Sequence, residues 1–212
     1  MDPAAAVAPT TLARQRILPV SEPLATLLPD GALIRGKAVS CRGIAATSLA
    51  IALASEATTA GAWLAVVDVP WLGVEAAAEL GVPLERLVRV DPGDVPWADL
   101  VAAVLDGFEL VVTRVPPRLN ATTVRRVQAR VQAREAVLIA VGEPGPLSVD
   151  ITMAASSPVW EGIEHGWGHL RGRRVTVSSN GRRVPRPRRA ELWLPGPDGT
   201  VAVSETALRS VG

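Results

Sequence analysis

From about residue 37 onward the chain alternates short apolar runs with alanine-rich or amphipathic stretches. Strands are predicted at 37–41, over "AWLAVVDV" (62–69), "RLVRV" (86–90), "FELVVTRV" (108–115) and "AVLIAV" (136–141). Helices are predicted between them: from about 45 to 58, through "VEAAAELG", over "WADLVAAVLDG" (97–107) and over "NATTVRRVQARVQAR" (120–134). A strand that is apolar at nearly every position buries both faces, and strands joined through helices run parallel. The pattern therefore predicts an α/β fold, a mostly parallel sheet with helices on both sides. Asn120 is suited to cap a helix, and Gly81 and Gly107 fall where helices should end.

Past Gly142 the pattern changes. "SVDITMAA", "RRVTVSSNG" and "RRAELWLPG" read as strands with few helix signals, predicting antiparallel C-terminal strands added to the same sheet. Residues 1–18 are rich in Ala, Thr and Pro and are expected to be a flexible segment, with a short helix possible within "SEPLATLL". Residues 19–195 then form one domain, and 196–212 a polar tail; no internal repeat is visible.

The strand-to-helix junction "SCRGIAATSLAIALA" (40–54) has the frame of a phosphate-binding loop. Such a loop needs Gly-x-x-x-x-Gly-Lys-Ser/Thr: glycines let backbone amides wrap phosphate, the lysine neutralises it, and the hydroxyl holds magnesium. Here Ser40 stands at the first glycine, Ala45 at the second and Ala46 at the lysine, with Gly43 inside the loop. Thr47 alone keeps the functional type. Arg42 is the nearest cation, and its planar fork replaces a point charge poorly.

Composition narrows the chemistry further. Of 22 basic residues, all but Lys37 are arginine, and Lys37 precedes the loop by a strand's length. Cys41 is the single cysteine, which excludes internal disulfides and cysteine-clustered metal sites. No uninterrupted apolar run reaches the roughly 18 residues of a membrane span, and the N-terminus lacks the pattern of a secretion signal. A cytoplasmic protein with no membrane contact is expected. Net charge is only +1, yet nine acids lie between Asp68 and Glu109, while 114–134 and 170–189 carry six and eight arginines with no acid.

Three segments carry a resemblance. "LPDGALIRGKAVSCRG" is similar to the lead-in of the RecA ATPase core, and "AWLAVVDVPWLGVEAAAELGVPLERLVRVDPGD" resembles the RecA segment in which a strand ends in Asp before a helix. "RRVTVSSNGRRVPRPRRAELWLPGPDG" resembles the hairpin that closes that core. The resemblance covers about residues 28–199, and more narrowly the chain resembles the ImuA-type (SulA/RecA-like) mutasome accessory proteins of actinobacteria. It implies a RecA-like core and a role in the SOS response, as a non-catalytic adaptor in damage-induced translesion DNA synthesis. The implied partners are ImuB, a catalytically dead Y-family polymerase homologue, and an error-prone C-family DNA polymerase.

The departures from RecA bear on catalysis. Asp68 is followed by Val69 and Pro70 where RecA has its catalytic glutamate, and the strand that would carry the magnesium-binding aspartate ends in Thr113 and Arg114. The terminal hairpin has no lysine to complete a neighbour's site. The segments "PPRL" and "GEPGPLS" are too short for the DNA-binding loops. No ATPase activity, no cofactor, no catalytic residue and no metal site are therefore expected, and Asp68 is expected in a structural pairing. Two other readings stay open: a SulA-like inhibitor of cell division, and a weak nucleotide-binding ATPase using Arg42 and Thr47.

Candidate contacts to DNA or an acidic partner are the helical stripe Arg126, Arg130 and Arg134 with Arg125 beside it, and the hairpin arginines Arg171, Arg173, Arg174, Arg182 and Arg183. For the stripe the plainer reading is a solvated face; for the hairpin it is an edge strand protected by Arg and Pro. "EHGWGHL" spaces His165 and His169 four apart beside Glu164, but its glycines oppose a helix, so a turn is expected rather than a metal site. Trp160, Trp167 and Trp193 are expected to pack in the core, whereas an exposed one there would mark a protein interface. Self-association is left open.

Overall fold

The computed structural model describes residues 16–164 and 167–204, the side chains from 163 to 167 excepted. Eleven strands, five α-helices and one 3-10 helix (Leu84–Arg86) are found among the described residues. β1 (Ile17–Pro19) pairs antiparallel with β2 (Ala32–Ile34), and α1 (Glu22–Ala25) lies between them. There follow β3 (Ala38–Gly43), α2 (Ala46–Thr59), β4 (Leu64–Val67), α3 (Val74–Glu79), β5 (Leu87–Val90), α4 (Trp97–Val104), β6 (Leu110–Thr113), α5 (Ala121–Ala133) and β7 (Val137–Val141). β8 (Ile151–Glu164), β9 (Trp167–Gly181), β10 (Val184–Trp193) and β11 (Ala202–Val203) complete the chain.

The main sheet has nine strands in the order β11-β10-β9-β8-β3-β7-β6-β4-β5. The strands from β8 to β5 in that order are parallel, and β9, β10 and β11 continue antiparallel. β8 thus belongs with the parallel set through β3, although it was expected among the antiparallel strands. The alternation of side chains explains the apolar runs. Leu110 and Val112 of β6 enter one core beneath α2, whereas Val111 enters a second core beneath α4 and α5.

Helix ends follow local chemistry. Asn120 caps α5, its Oδ1 accepting from the Thr123 N–H at 2.7 Å. Gly81 takes φ +90 one residue after the Leu80 C-cap of α3. Two segments exceed their expected bounds. Ile17 and Leu18, placed in the flexible segment by composition, pair with Ile34 and Leu33, and the Leu18 side chain joins the first core beside Leu33. Ala202 and Val203, placed in the polar tail, pair with Trp193 and Leu192. The hairpin of β8 and β9 is also longer than the sequence suggested, continuing to Glu164 and resuming at Trp167.

Candidate functional site

The degenerate loop sits at the C-terminal ends of the parallel strands, where open α/β sheets bind ligands. It borders a cleft of about 460 Å³ between the start of α2, the end of β7 and Trp71. Gly43, at φ +85, is the one loop glycine, and a Cβ on it would lie 2.1 Å from the carbonyl oxygen of Ala155. Close approach of β3 to β8 therefore requires glycine here, independently of any phosphate. Ser40 is buried and donates to Oγ1 of its register partner Thr152 on β8 at 3.1 Å. Ala45 and Ala46 offer only methyl groups at the α2 entry, and Ala45 provides no side-chain cap.

The polar groups around the cleft are engaged with one another. The Trp71 indole N–H donates to Thr47 Oγ1 at 2.9 Å, so the hydroxyl that would coordinate magnesium already accepts a hydrogen bond. Arg42 pairs with Glu143. Arg114 directs Nε and Nη2 to Asp68 Oδ2 at 3.2 and 2.9 Å, and its guanidinium lies 5.8 Å from the Trp71 ring centre. Asp68 thus has the structural pairing expected of it, held in the left-handed region at φ 54. At the end of β6, Thr113 is buried and its hydroxyl accepts from Trp97 Nε1 at 2.9 Å. Lys37 lies before β3, at the opposite end of the strand from the loop, where its Nζ is 3.7 Å from Asp150. Cys41 is wholly buried in β3, and burial raises its thiol pKa well above the ordinary range.

The arginine candidates separate into distinct surroundings. On α5, Arg126 meets Asp99 at 2.7 Å, and Arg130 and Arg134 both meet Asp106, the latter at 3.1 Å. These three bind α5 to α4 and the turn after it. The Arg130 hydrogen bond, with Arg134 adding to it, holds the Asp106 carboxyl below its usual range. Arg125 points to another face and has no carboxylate partner among the described residues.

In the hairpin, Arg173 is 9% exposed. It donates from Nε to the Leu194 carbonyl at 2.7 Å and from Nη2 to Ser48 Oγ at 2.9 Å, tying β9 to α2. Burial lowers its pKa. Arg174 meets Glu161 at 2.8 Å and Glu191 at 3.4 Å, and Arg183 approaches Asp30 at 3.6 Å. Arg171 and Arg182 are exposed.

The tryptophans correct an expectation. Trp160 is 48% exposed instead of lying in the core, because the inner seat belongs to Arg173, whose guanidinium lies 5.0 Å from the indole centre. Trp193 is half-buried and meets Arg174 at 5.7 Å in the same manner. The Trp167 side chain and His165 lie outside the described residues, and His169 is exposed. Among the described residues no three His, Cys, Asp or Glu side chains come together as a metal site, and no helix is long and apolar enough to cross a membrane. Sequence reasoning missed the Trp71–Thr47 bond and the ion pairs from α5 to Asp99 and Asp106. Only the opposite charges of 68–109 and 114–134 hinted at the latter.

Comparison with known proteins fits this architecture. A Mycobacterium tuberculosis protein, Rv3395c, is 30% identical over 145 residues, covering 65% of this chain and 71% of that protein. The crystal structure of the RadB recombinase superposes with a TM-score of 0.59 at 14% identity, covering 87% of this chain and 97% of that one. At that identity the likeness is one of fold, and the fold is RecA-like. Residues 26–146 match the family described as the MT3502 N-terminal domain, and to that family the chain belongs.

Proposed function

We propose that this chain is a RecA-like module without ATPase chemistry, acting as a non-catalytic accessory in damage-induced translesion DNA synthesis. Its partner in this reading is an ImuB-type, catalytically dead Y-family polymerase homologue, through which it joins an error-prone C-family polymerase. The role follows from the resemblance to ImuA-type proteins over residues 28–199. The observation that carries the non-catalytic part is the self-engaged cleft. Thr47 is taken by Trp71, Arg114 by Asp68 and Arg42 by Glu143, and no lysine stands at position 46. An active nucleotide site keeps such groups for phosphate and magnesium. What remains is a scaffold that works through its surfaces.

Two measurements test the reading. Co-expression with the ImuB-type protein should yield a complex that stays together through size-exclusion chromatography; recovery of a tubulin-like division protein instead would favour the SulA-like alternative. Calorimetry with millimolar ATP and magnesium should give no heat of binding. Saturable heat would favour the weak ATPase, to which the open cleft lends support.

A further inference from the structure

Two exposed indoles are tied to neighbouring residues at the start of α2. Trp71 donates to Thr47, and Trp160 lies against Arg173, whose Nη2 donates to Ser48, the next residue along. Each indole borders a hollow. The first is the cleft beside the degenerate loop, where Ile44 is 66% exposed across from Trp71. The second, of about 360 Å³, lies between the β8–β9 hairpin, the end of α3 and the turn after β10. Its walls include Trp160, Pro195, Pro197 and Leu170, the last 54% exposed. Ser48 lines the first hollow and Trp160 the second, so the Ser48–Arg173–Trp160 contacts join the two into one surface. Both rings are held in place, Trp71 by its hydrogen bond and by Arg114, Trp160 by Arg173, although neither is part of the core.

We infer that this surface seats a segment of a partner polypeptide that places one large, uncharged apolar side chain in each hollow. The identity of the partner rests on the translesion reading above; the chemistry of the segment follows from the surface. The charges there cancel. Beside the first hollow Arg42 pairs with Glu143 and Arg114 with Asp68. In the second, Arg171 stands with Glu79 and Asp198, and Asp198 Oδ1 already accepts from the Thr200 N–H and hydroxyl. With Arg173 on the bridge, four arginines are matched by four carboxylates. A balanced surface gives no net attraction to a nucleic acid or to a polyacidic or polybasic segment, and leaves apolar contact as the source of affinity. A small molecule filling one hollow would leave the other indole bare. Tryptophan and arginine set around well-formed hollows are the groups that dominate binding energy at protein interfaces, and rings already held in place lose little freedom on association.

Calorimetric titration of the full chain with the ImuB-type protein tests this. Ile44→Asp and Leu170→Asp should each weaken binding about tenfold or more, and together they should abolish co-elution. Val95→Asp is the control: Val95 is comparably exposed but borders neither hollow, and its substitution should change affinity by less than about twofold. A tenfold rise in salt should change the native affinity by less than about threefold. Near-UV circular dichroism matching the native chain establishes that each variant folds, and Ile44→Ser and Leu170→Ser serve where an aspartate perturbs the fold. Undiminished binding by the double variant overturns the assignment and leaves the translesion reading standing, whereas no complex with the native chain sinks both. A steep fall in affinity with salt, equal loss from Val95→Asp, or a dimer of the chain alone that Ile44→Asp dissolves also overturns it.

Discussion

The Trp71 indole N–H and the Thr47 hydroxyl lie 2.9 Å apart, and their hydrogen bond occupies the one residue of the loop that retains a magnesium-binding type. Trp71 is itself 53% exposed, so the bond holds a large aromatic ring over the mouth of the cleft. Breaking it should not restore a nucleotide site, because Ala46 still supplies no cation. Trp71→Phe is expected to lower stability by about 1 kcal/mol, the worth of one ordinary hydrogen bond, and to leave calorimetry with ATP and magnesium flat. Nucleotide binding by that variant would show that the ring, and not the missing lysine, is what blocks the site.

Gly43 permits a second test, by contrast with Gly61. Both have positive φ, +85 and +102, but only at Gly43 does a Cβ meet backbone, 2.1 Å from the Ala155 oxygen. Gly61→Ala should cost about 1–2 kcal/mol from the left-handed conformation alone. Gly43→Ala adds a clash between two central strands and should cost about 3 kcal/mol or more. Thermal unfolding of the two variants compares them directly; equal losses would remove the packing explanation for the loop glycine.

These two positions show where sequence reading stops. The alternation of apolar strands and helices gave the two-sided parallel sheet because burial on both faces leaves a direct mark in composition. The departure of the loop from the phosphate-binding pattern was equally legible, since Ser40, Ala45 and Ala46 are residue identities at fixed spacing. Why Gly43 persists was not legible, because Ala155 lies more than a hundred positions away and only the β3–β8 pairing brings it near. The fate of the arginines was hidden for the same reason. Arg126 and Arg125 are adjacent in the chain, yet one meets Asp99 and the other has no carboxylate partner among the described residues. Trp160 was misjudged because a long apolar ring looks like core, whereas here a buried arginine displaces it.

Acid titration addresses the α5 stripe. The hydrogen bond from Arg130 depresses the Asp106 pKa, with Arg134 contributing as well. A depressed carboxylate stabilises the fold above its unfolded pKa, near 3.9, and that contribution is lost as pH falls through the lower folded value. Carboxyl-carbon NMR should find Asp106 titrating below the ordinary aspartate range, and Arg130→Gln should return it toward that range. An unchanged titration in the variant would place the cause elsewhere.

Cys41 should be chemically silent in the native protein. It is wholly buried and its thiol is held protonated by burial, so neither access nor thiolate is available to a reagent. Ellman's reagent is expected to find no thiol in the folded chain and one after denaturation. Reaction under native conditions would mean that β3 opens readily, which its place between β7 and β8 in the sheet argues against.

The placement of the indoles has a practical result. Of the five described tryptophans, Trp97 packs against the second core, whereas Trp63, Trp71 and Trp160 are exposed and, with Trp193, stand against arginine guanidiniums. The emission of these four consequently reports on the periphery of the molecule, with Trp97 alone reporting on the core side of the sheet. A polypeptide that settles over Trp71 or Trp160 should shift the spectrum toward the blue without any attached dye.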